Sequence, residues 1–363
     1  ITCLLRSIMA TTRIRLPALP RSLHRRYIPK TNAHRSDASD PKCKGSAGCF
    51  MPTHKEHAPD NGNGNGAPTQ GKPESAHRRP ESSFPAKQHH GNDWDDMTTE
   101  EVRVRTADAI AIMPVSATEQ HGPHLPLSVD RLLNEGVLNA ALEMANREDA
   151  NFAKKLLVLP HLPIGKSVEH DSFAGTLSLR TETLAALWTD VAESAYRSGI
   201  RKLVIFNSHG GQPQVMEIVA RDLRSRLGMT VITLSWFSFG VPENIFPDDE
   251  LRHGIHAGAI ETSMMLALRP DLVRESLLAN FKSRGEAMVK EEGFQLLTPE
   301  GGVGFGWLTE DLSESGAMGD ATIASSEKGE LIIEYAASKL VELLREVDRF
   351  ELFPTPAVVP TNE

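Results

Sequence analysis

The sequence predicts an α/β domain: one central, mostly parallel sheet with helices on both faces, three layers deep. Three observations predict it. Four short apolar runs, 109–115, 156–160, 202–206 and 230–236, read as buried strands. Segments with helical spacing of apolar residues separate them, so the order is β-α-β-α-β-α-β. Carboxylates and imidazoles follow the first and third runs closely, where ligands bind in open α/β sheets.

Composition bounds the rest. The chain has 363 residues and three cysteines, Cys3, Cys43 and Cys49, all in its first quarter. The folded part therefore has no disulfide framework, which suits a reducing, cytoplasmic setting. Charge divides unevenly: residues 1–93 hold 15 Lys and Arg against 7 Asp and Glu, the remainder 24 against 41. An acidic body makes a poor nucleic-acid binder, because phosphate contacts need clustered cations. No apolar run is long enough to span a membrane.

Residues 1–36 contain no acid and are rich in Arg, Ser and Leu. That is the composition of an organelle transit peptide, which would give an organellar location. Untranslated or mis-started sequence is the plainer reading, given Ile1 at the front and an internal Met9. Residues 37–92 are dominated by Pro, Gly, Asn, Ser, His and Lys. They bury too little apolar surface to offset chain entropy, so disorder is expected, and His89-His90 read as solvated linker. The expected organisation is a basic leader over 1–92, one domain over 93–350 and a tail over 351–363.

Folded character begins near Trp94, and Thr98-Thr-Glu-Glu-Val reads as a helix start. The strand over 109–115 feeds a loop carrying Glu119, His121, His124 and Asp130, with Gly122, Pro123 and Pro126 excluding regular helix. Asp130 is the expected cap of a helix over 131–147. After the second strand, 163–179 is a long loop with the polar run 167–172, of a length that is usually functional. Thr181 opens a helix that Gly199 ends, and Pro213 starts another to about Leu227. The stretch 238–255 reads as irregular, 256–268 as helix, 301–319 as a glycine-rich loop and 326–348 as a long closing helix.

The candidate ligands are Glu119, His121, Asp130, His209 and Glu261. Carboxylate and imidazole without thiolate suit zinc, manganese or iron(II). Five ligands serve two cations only if one carboxylate is shared. Asp130 is the candidate, able to span a pair roughly 3.5–4 Å apart. It could instead be only a cap, and one oxygen could cap while the other binds. His209 lies in Asn207-Ser-His-Gly-Gly, where glycines allow backbone to approach a ligand, although core packing is the competing reading. His256 is expected at a helix start, leaning into the site or merely capping. His124 is the candidate orienter of a ligand. His170 could be an acid, a substrate contact or loop polarity; His161 and His253 read as surface or structural. The chain has no H-E-x-x-H, no phosphate loop and no nucleophile elbow, and the glycines at 301–306 do not follow a strand.

Three blocks resemble the creatininase family, also called creatinine amidohydrolases. They are Glu119-Gln-His-Gly-Pro-His-Leu-Pro-Leu-Ser-Val-Asp130, Asn207-Ser-His-Gly-Gly211 and His256-Ala-Gly-Ala-Ile-Glu-Thr-Ser263. Weaker support comes from 169–170, 175–179 and 316–320, and the resemblance runs from about Trp94 to Arg349. It implies an α/β fold, a two-metal site and ring-like homo-oligomers, commonly hexamers. By position, Glu119 and His121 each bind one metal, Asp130 bridges, and His209 joins the Glu119 metal. Creatinine-hydrolysing members look like His-Tyr-Glu where this chain has His209-Gly210-Gly211, so the remaining carboxylate is assigned to Glu261. Arg252 stands where those members carry a pocket tryptophan; His170, Thr176 and Trp236 are the substrate-side candidates.

The expected activity is a metal-dependent amidohydrolase cleaving a non-peptide or cyclic C–N amide bond. Hydroxide bridging two divalent metals, zinc first and manganese or iron next, would attack the carbonyl of a small-molecule amide. His256 would protonate the leaving amine, with Glu261 the competing proton carrier. The alternatives are a peptide-maturation protease acting on a small partner, and a family member without catalysis, against which the nearly complete ligand set argues.

Overall fold

Strands β1 (Ile110–Val115), β2 (Leu156–Val158), β3 (Lys202–Asn207) and β4 (Thr230–Ser235) form one sheet, all parallel, in the order β2-β1-β3-β4. The computed structural model describes residues 91–300 and 302–352. The chain divides into two units, Ile1–His77 and Arg78–Glu363, and every described residue belongs to the second. The expected disorder of the leader, the transit segment, His89-His90 and most of the C-terminal tail lie outside the described residues. Asn92, at the end of the expected leader, is buried and donates to the carbonyls of Ala153 and Leu156 at 2.7 and 2.6 Å.

Every residue of β1 is buried, as a continuous apolar run covered on both faces requires. Ile110 and Ile112 of β1 and Val204 and Phe206 of β3 face one layer. That layer is built by α2 (Val129–Glu148), with α3 (Ala150–Ala153) after it, α7 (Ala259–Leu268) and α10 (Ser326–Arg349). Ala111, Met113, Leu203 and Ile205 face the other layer, α4 (Thr181–Arg197) and α5 (Pro213–Leu227). In α10 the buried residues Ile333, Ala336, Ala337, Leu340, Val341 and Leu344 recur at helical spacing and pack on α2 and α7. The remaining helices are short: α1 (Thr99–Arg105), α6 (Asp248–His253), α8 (Arg284–Lys290) and α9 (Thr309–Leu312). A two-stranded antiparallel pair joins β5 (Asn280–Phe281) to β6 (Gly319–Asp320). Among the described residues no helix is long and apolar enough to cross a membrane.

Three local expectations are corrected. Ser128, not Asp130, stands at the N-cap of α2, and Asp130 lies inside the first turn. The stretch expected to be irregular contains α6. The helix expected from His256 starts at Ala259, because Ala257 takes the left-handed φ of 54° and Gly258 is extended. His256 instead bridges antiparallel to Met318. Buried Glu250 on α6 ties these pieces together: it accepts from Ala259 N and Asp320 N, both at 2.7 Å.

Register positions the site. β1 pairs with β3 so that Val115 stands opposite Asn207, and β3 with β4 so that Asn207 stands opposite Ser235. The loop after β1 and the turn after β3 therefore leave the sheet side by side.

Candidate metal centre

The loop after β1 is held rigidly. Leu177 N donates to Thr118 O at 2.9 Å, Glu119 N to Leu127 O at 3.2 Å, and the Thr118 hydroxyl to Pro163 O at 2.9 Å. Gly122 has φ of 66°, and a Cβ there would stand 2.7 Å from that of Ala317. After β3, Asn207 clamps its own turn: Nδ2 donates to His209 O at 2.6 Å, and Oδ1 accepts from His209 N at 3.0 Å. The first turn of α2 brings in Asp130, whose Oδ2 accepts from Ala117 N at 3.2 Å.

These elements converge. His121 Nε2 lies 3.3 Å from Asp130 Oδ1, 3.9 Å from Glu261 Oε2 and 4.0 Å from Glu119 Oε1. His209 Nδ1 lies 3.1 Å from Glu119 Oε2 and 3.4 Å from Asp130 Oδ2. His121, Asp130, His209 and Glu119 are almost wholly buried. Three groups of residues bring candidate ligand atoms within 4.8 Å of one another: Glu119–His121–His256, Glu119–Glu169–His209 and His121–Asp130–Glu261.

The proton positions follow from the partners. His121 Nδ1 donates to Glu119 O at 3.1 Å, His209 Nε2 to Lys166 O at 2.8 Å, and His256 Nε2 to Gln120 O at 2.7 Å. Each neutral ring thus spends its N–H on a backbone carbonyl and turns a lone pair toward carboxylates. His121 Nε2 is buried without a hydrogen-bond partner among the described residues. Lone pairs facing ionised oxygens repel unless a proton or cation lies between them, so this donor set fits divalent cations.

Electrostatics of the metal-free cluster agree. Burial alone would lower His121, but the adjacent carboxylates of Asp130, Glu261 and Glu119 raise it to about 9. His209 opposes burial in the same way and is held well above its usual range by Glu119 and Asp130. Burial would raise Asp130, yet the two histidines pull it below the ordinary carboxylate range. Burial pushes Glu261 up to about 7, with Asp130 and Glu119 adding to the rise against His121. Protons occupy the positions that a cation would replace.

The other expected residues lie around this centre. His256 Nδ1 is 3.9 Å from Glu119 Oε1, and its ring packs between those of His121 and His170 at 4.2 and 4.3 Å. Burial and the neighbouring imidazoles hold His256 well below its usual value. His170 Nδ1 accepts from Gln120 Nε2 at 2.7 Å, leaving Nε2 to face Glu119 at 3.7 Å. Thr176 Oγ1 accepts from Gln120 N at 3.1 Å. Trp236 is buried in the apolar layer with α2, α7 and α10, its indole N–H unpaired among the described residues. His124 bonds Thr262 Oγ1 at 3.0 Å and stacks on Phe281; burial, then the charge of His121, lowers it to about 4. Outside the centre, His253 pairs with Glu300 at 2.9 Å and His161 with the Ser116 hydroxyl at 2.9 Å.

Sequence reasoning missed Glu169, Ser167 and Gln120. The Ser167 hydroxyl donates to Glu119 Oε2, and the Gln120 amide reaches Gly316 O at 3.0 Å. Glu169 and Ser167 lay in the polar run of the 163–179 loop, and Gln120 between two candidate ligands. Composition marked the places without saying which side chains turn inward.

Fold and site together define an α/β protein with a buried carboxylate–imidazole cluster at the carboxyl edge of a parallel sheet. The chain belongs to the creatininase family, whose model, described as creatinine amidohydrolase, matches residues 95–344. It is 30% identical to creatinine amidohydrolase of Pseudomonas putida over 262 residues, 68% of this chain and 92% of that one. It is 31% identical to the mycofactocin precursor peptide peptidase of Mycolicibacterium smegmatis over 225 residues, 61% of this chain and 79% of that one. The crystal structure of a creatinine amidohydrolase (creatininase) superposes with a TM-score of 0.57 at 27% identity, covering 72% of this chain and 99% of that chain. Solved creatininases include a manganese form and a zinc–zinc form.

Proposed function

We propose that this domain is a metal-dependent amidohydrolase that cleaves a non-peptide or cyclic C–N amide bond in a small molecule. The observation that carries the reading is the orientation of His121 and His209, each giving its N–H to a backbone carbonyl and its lone pair to the Asp130 carboxylate. Glu119, His209 and Asp130 would hold one divalent cation, and His121, Glu261 and Asp130 a second, zinc first and manganese or iron next. Such cations supply Lewis acidity, bringing water toward ionisation near neutral pH and polarising an amide carbonyl.

The chain's own groups do the rest. His256 is fixed by Gln120 O with Nδ1 turned to the reaction space and begins neutral. It takes the proton of the attacking water on Nδ1 and hands it to the departing nitrogen. Glu261 Oε2, the oxygen that faces His121, also accepts from Ala257 N at 2.6 Å, which fixes the carboxylate at the edge of the centre; Glu261 is the competing proton carrier. His170 Nε2 and the Thr176 hydroxyl would contact the substrate, and His124 orients the loop; Trp236, expected on the substrate side, is instead buried in the apolar layer. The resemblance extends the proposal to a homo-oligomer, read by analytical ultracentrifugation.

A peptide-trimming activity is the second reading. Leu127, Val168 and Leu177, on the metal loop and the 163–179 loop, are exposed apolar residues that suit an extended peptide. The test is metal analysis of the purified chain, then hydrolysis of linear and cyclic small amides beside short peptides. Two cations per chain and turnover of a small amide support the first reading. Turnover confined to peptides supports the second, and a chain that takes up no divalent cation from metal-replete medium is inconsistent with both.

A further inference from the structure

Glu169 is the carboxylate nearest the outer nitrogen of His209. Its Oε1 lies 3.3 Å from His209 Nε2, and its side chain is 14% exposed. The same Nε2–H is given to Lys166 O at 2.8 Å, and the Glu169 carboxylate stands beside that bond. His121 and His256 each turn that N–H to a backbone carbonyl.

The backbone makes room for this carboxylate. A Cβ on Gly211 would stand 1.9 Å from Glu169 Oε1 and 2.7 Å from His209 Nε2. Gly211 is not among the residues with left-handed φ, so conformation does not require glycine there. Its neighbour Gly210 has nothing within 4 Å of the equivalent position. Space for Glu169 against His209 is what the missing side chain provides.

We propose that Glu169 is a positioning residue for the metal centre: its carboxylate beside the outer N–H of His209 makes Nδ1 the stronger donor to the cation held with Glu119 and Asp130. A carboxylate behind a ligating imidazole fixes its tautomer and raises its basicity. This rests on the two-cation reading above. The two halves of the centre are then unequal, since His121 has a backbone carbonyl in the same role.

The test uses the full chain, stripped of metal and titrated with zinc against a competing chelator. Cadmium-113 NMR of the cadmium-loaded protein reports the two positions separately. Glu169→Gln is expected to weaken one cation by about 10–100-fold and leave the other, and to shift one cadmium signal only. Glu169→Asp should recover part of the loss. Gly211→Ala, which removes no polar group but takes the carboxylate's space, should weaken the same cation. Equal affinities in wild type and Glu169→Gln, an equal loss at both positions, or unchanged binding in Gly211→Ala overturns the proposal. A wild-type chain that binds no cation removes the two-cation reading itself.

Discussion

Nε2 of His121 stands 3.3 Å from Oδ1 of Asp130, and the ring's only neutral-state proton is already given to Glu119 O on the opposite side. Only a second proton or a cation makes that approach favourable. Asp130 Oδ2 meets His209 in the same manner at 3.4 Å. Asp130→Asn keeps an oxygen for Ala117 N but removes the shared charge. Binding of both cations should fall by more than about 100-fold, beyond the usual effect of an outer-shell partner, and turnover should fall to background. Elemental analysis beside an amide assay checks this; near-normal turnover with both metals retained excludes a shared Asp130.

The metal-free protein should lose stability as pH rises from about 6.5 to about 9. His121 has its folded pKa raised to about 9, so its contribution is complete below the unfolded value and is lost as pH climbs through 9. His209, also raised, acts in the same direction. Glu261, raised to about 7, adds a loss between its unfolded value and 7. Metal binding displaces the histidine protons, so affinity should rise over the same interval. Thermal unfolding of stripped and zinc-loaded protein should therefore diverge with increasing pH. A constant difference in Tm from pH 6.5 to 9 argues that these histidines bind no cation.

Ala257 carries a left-handed φ of 54° directly after His256 and is fully buried. That conformation costs a non-glycine residue about 1–2 kcal/mol. Ala257→Gly should stay within about 1 kcal/mol of wild type, since relief of strain offsets the gain in unfolded-chain entropy. Ala257→Val should cost at least about 2 kcal/mol, because a branched side chain is strained there and has no space. Urea unfolding of the metal-free variants reads both.

Gly122 combines left-handed φ with contact against Ala317. Gly122→Ala should lose about 2–5 kcal/mol, from backbone conformation and from overpacking together. Pairing it with Ala317→Gly should restore the packing part and leave the conformational part. The cycle is measured by denaturant unfolding, and strictly additive losses mean that the two positions do not meet.

Much of the fold was legible. The observed strands begin and end within two residues of the four apolar runs, and α2, α4, α5 and α10 lie where helical spacing predicted them. Repetition is local, so a linear reading finds it. The start of α7 was misplaced because Ala257 adopts a backbone region that alanine seldom takes, and no composition rule announces it. Asp130 was read both as the shared carboxylate and as a cap, because a short acid before an apolar helix usually is one; in the fold it does not cap, and its oxygens turn to Ala117 N and two imidazoles. Glu169 was passed over beside His170, since nothing in the order of residues separates an inward carboxylate from a solvated one.

The sequence by itself determined the α/β layering, the location of the polar loops at strand ends and the types of ligand available, because each depends on short-range pattern and side-chain chemistry. The tertiary structure decided which of those ligands meet. Pairing of Val115 with Asn207 carries the loop after β1 and the turn after β3 to one edge of the sheet, and the space beside Gly211 admits Glu169. Both are distances between segments far apart along the chain, fixed by strand register and packing rather than by any residue's neighbours.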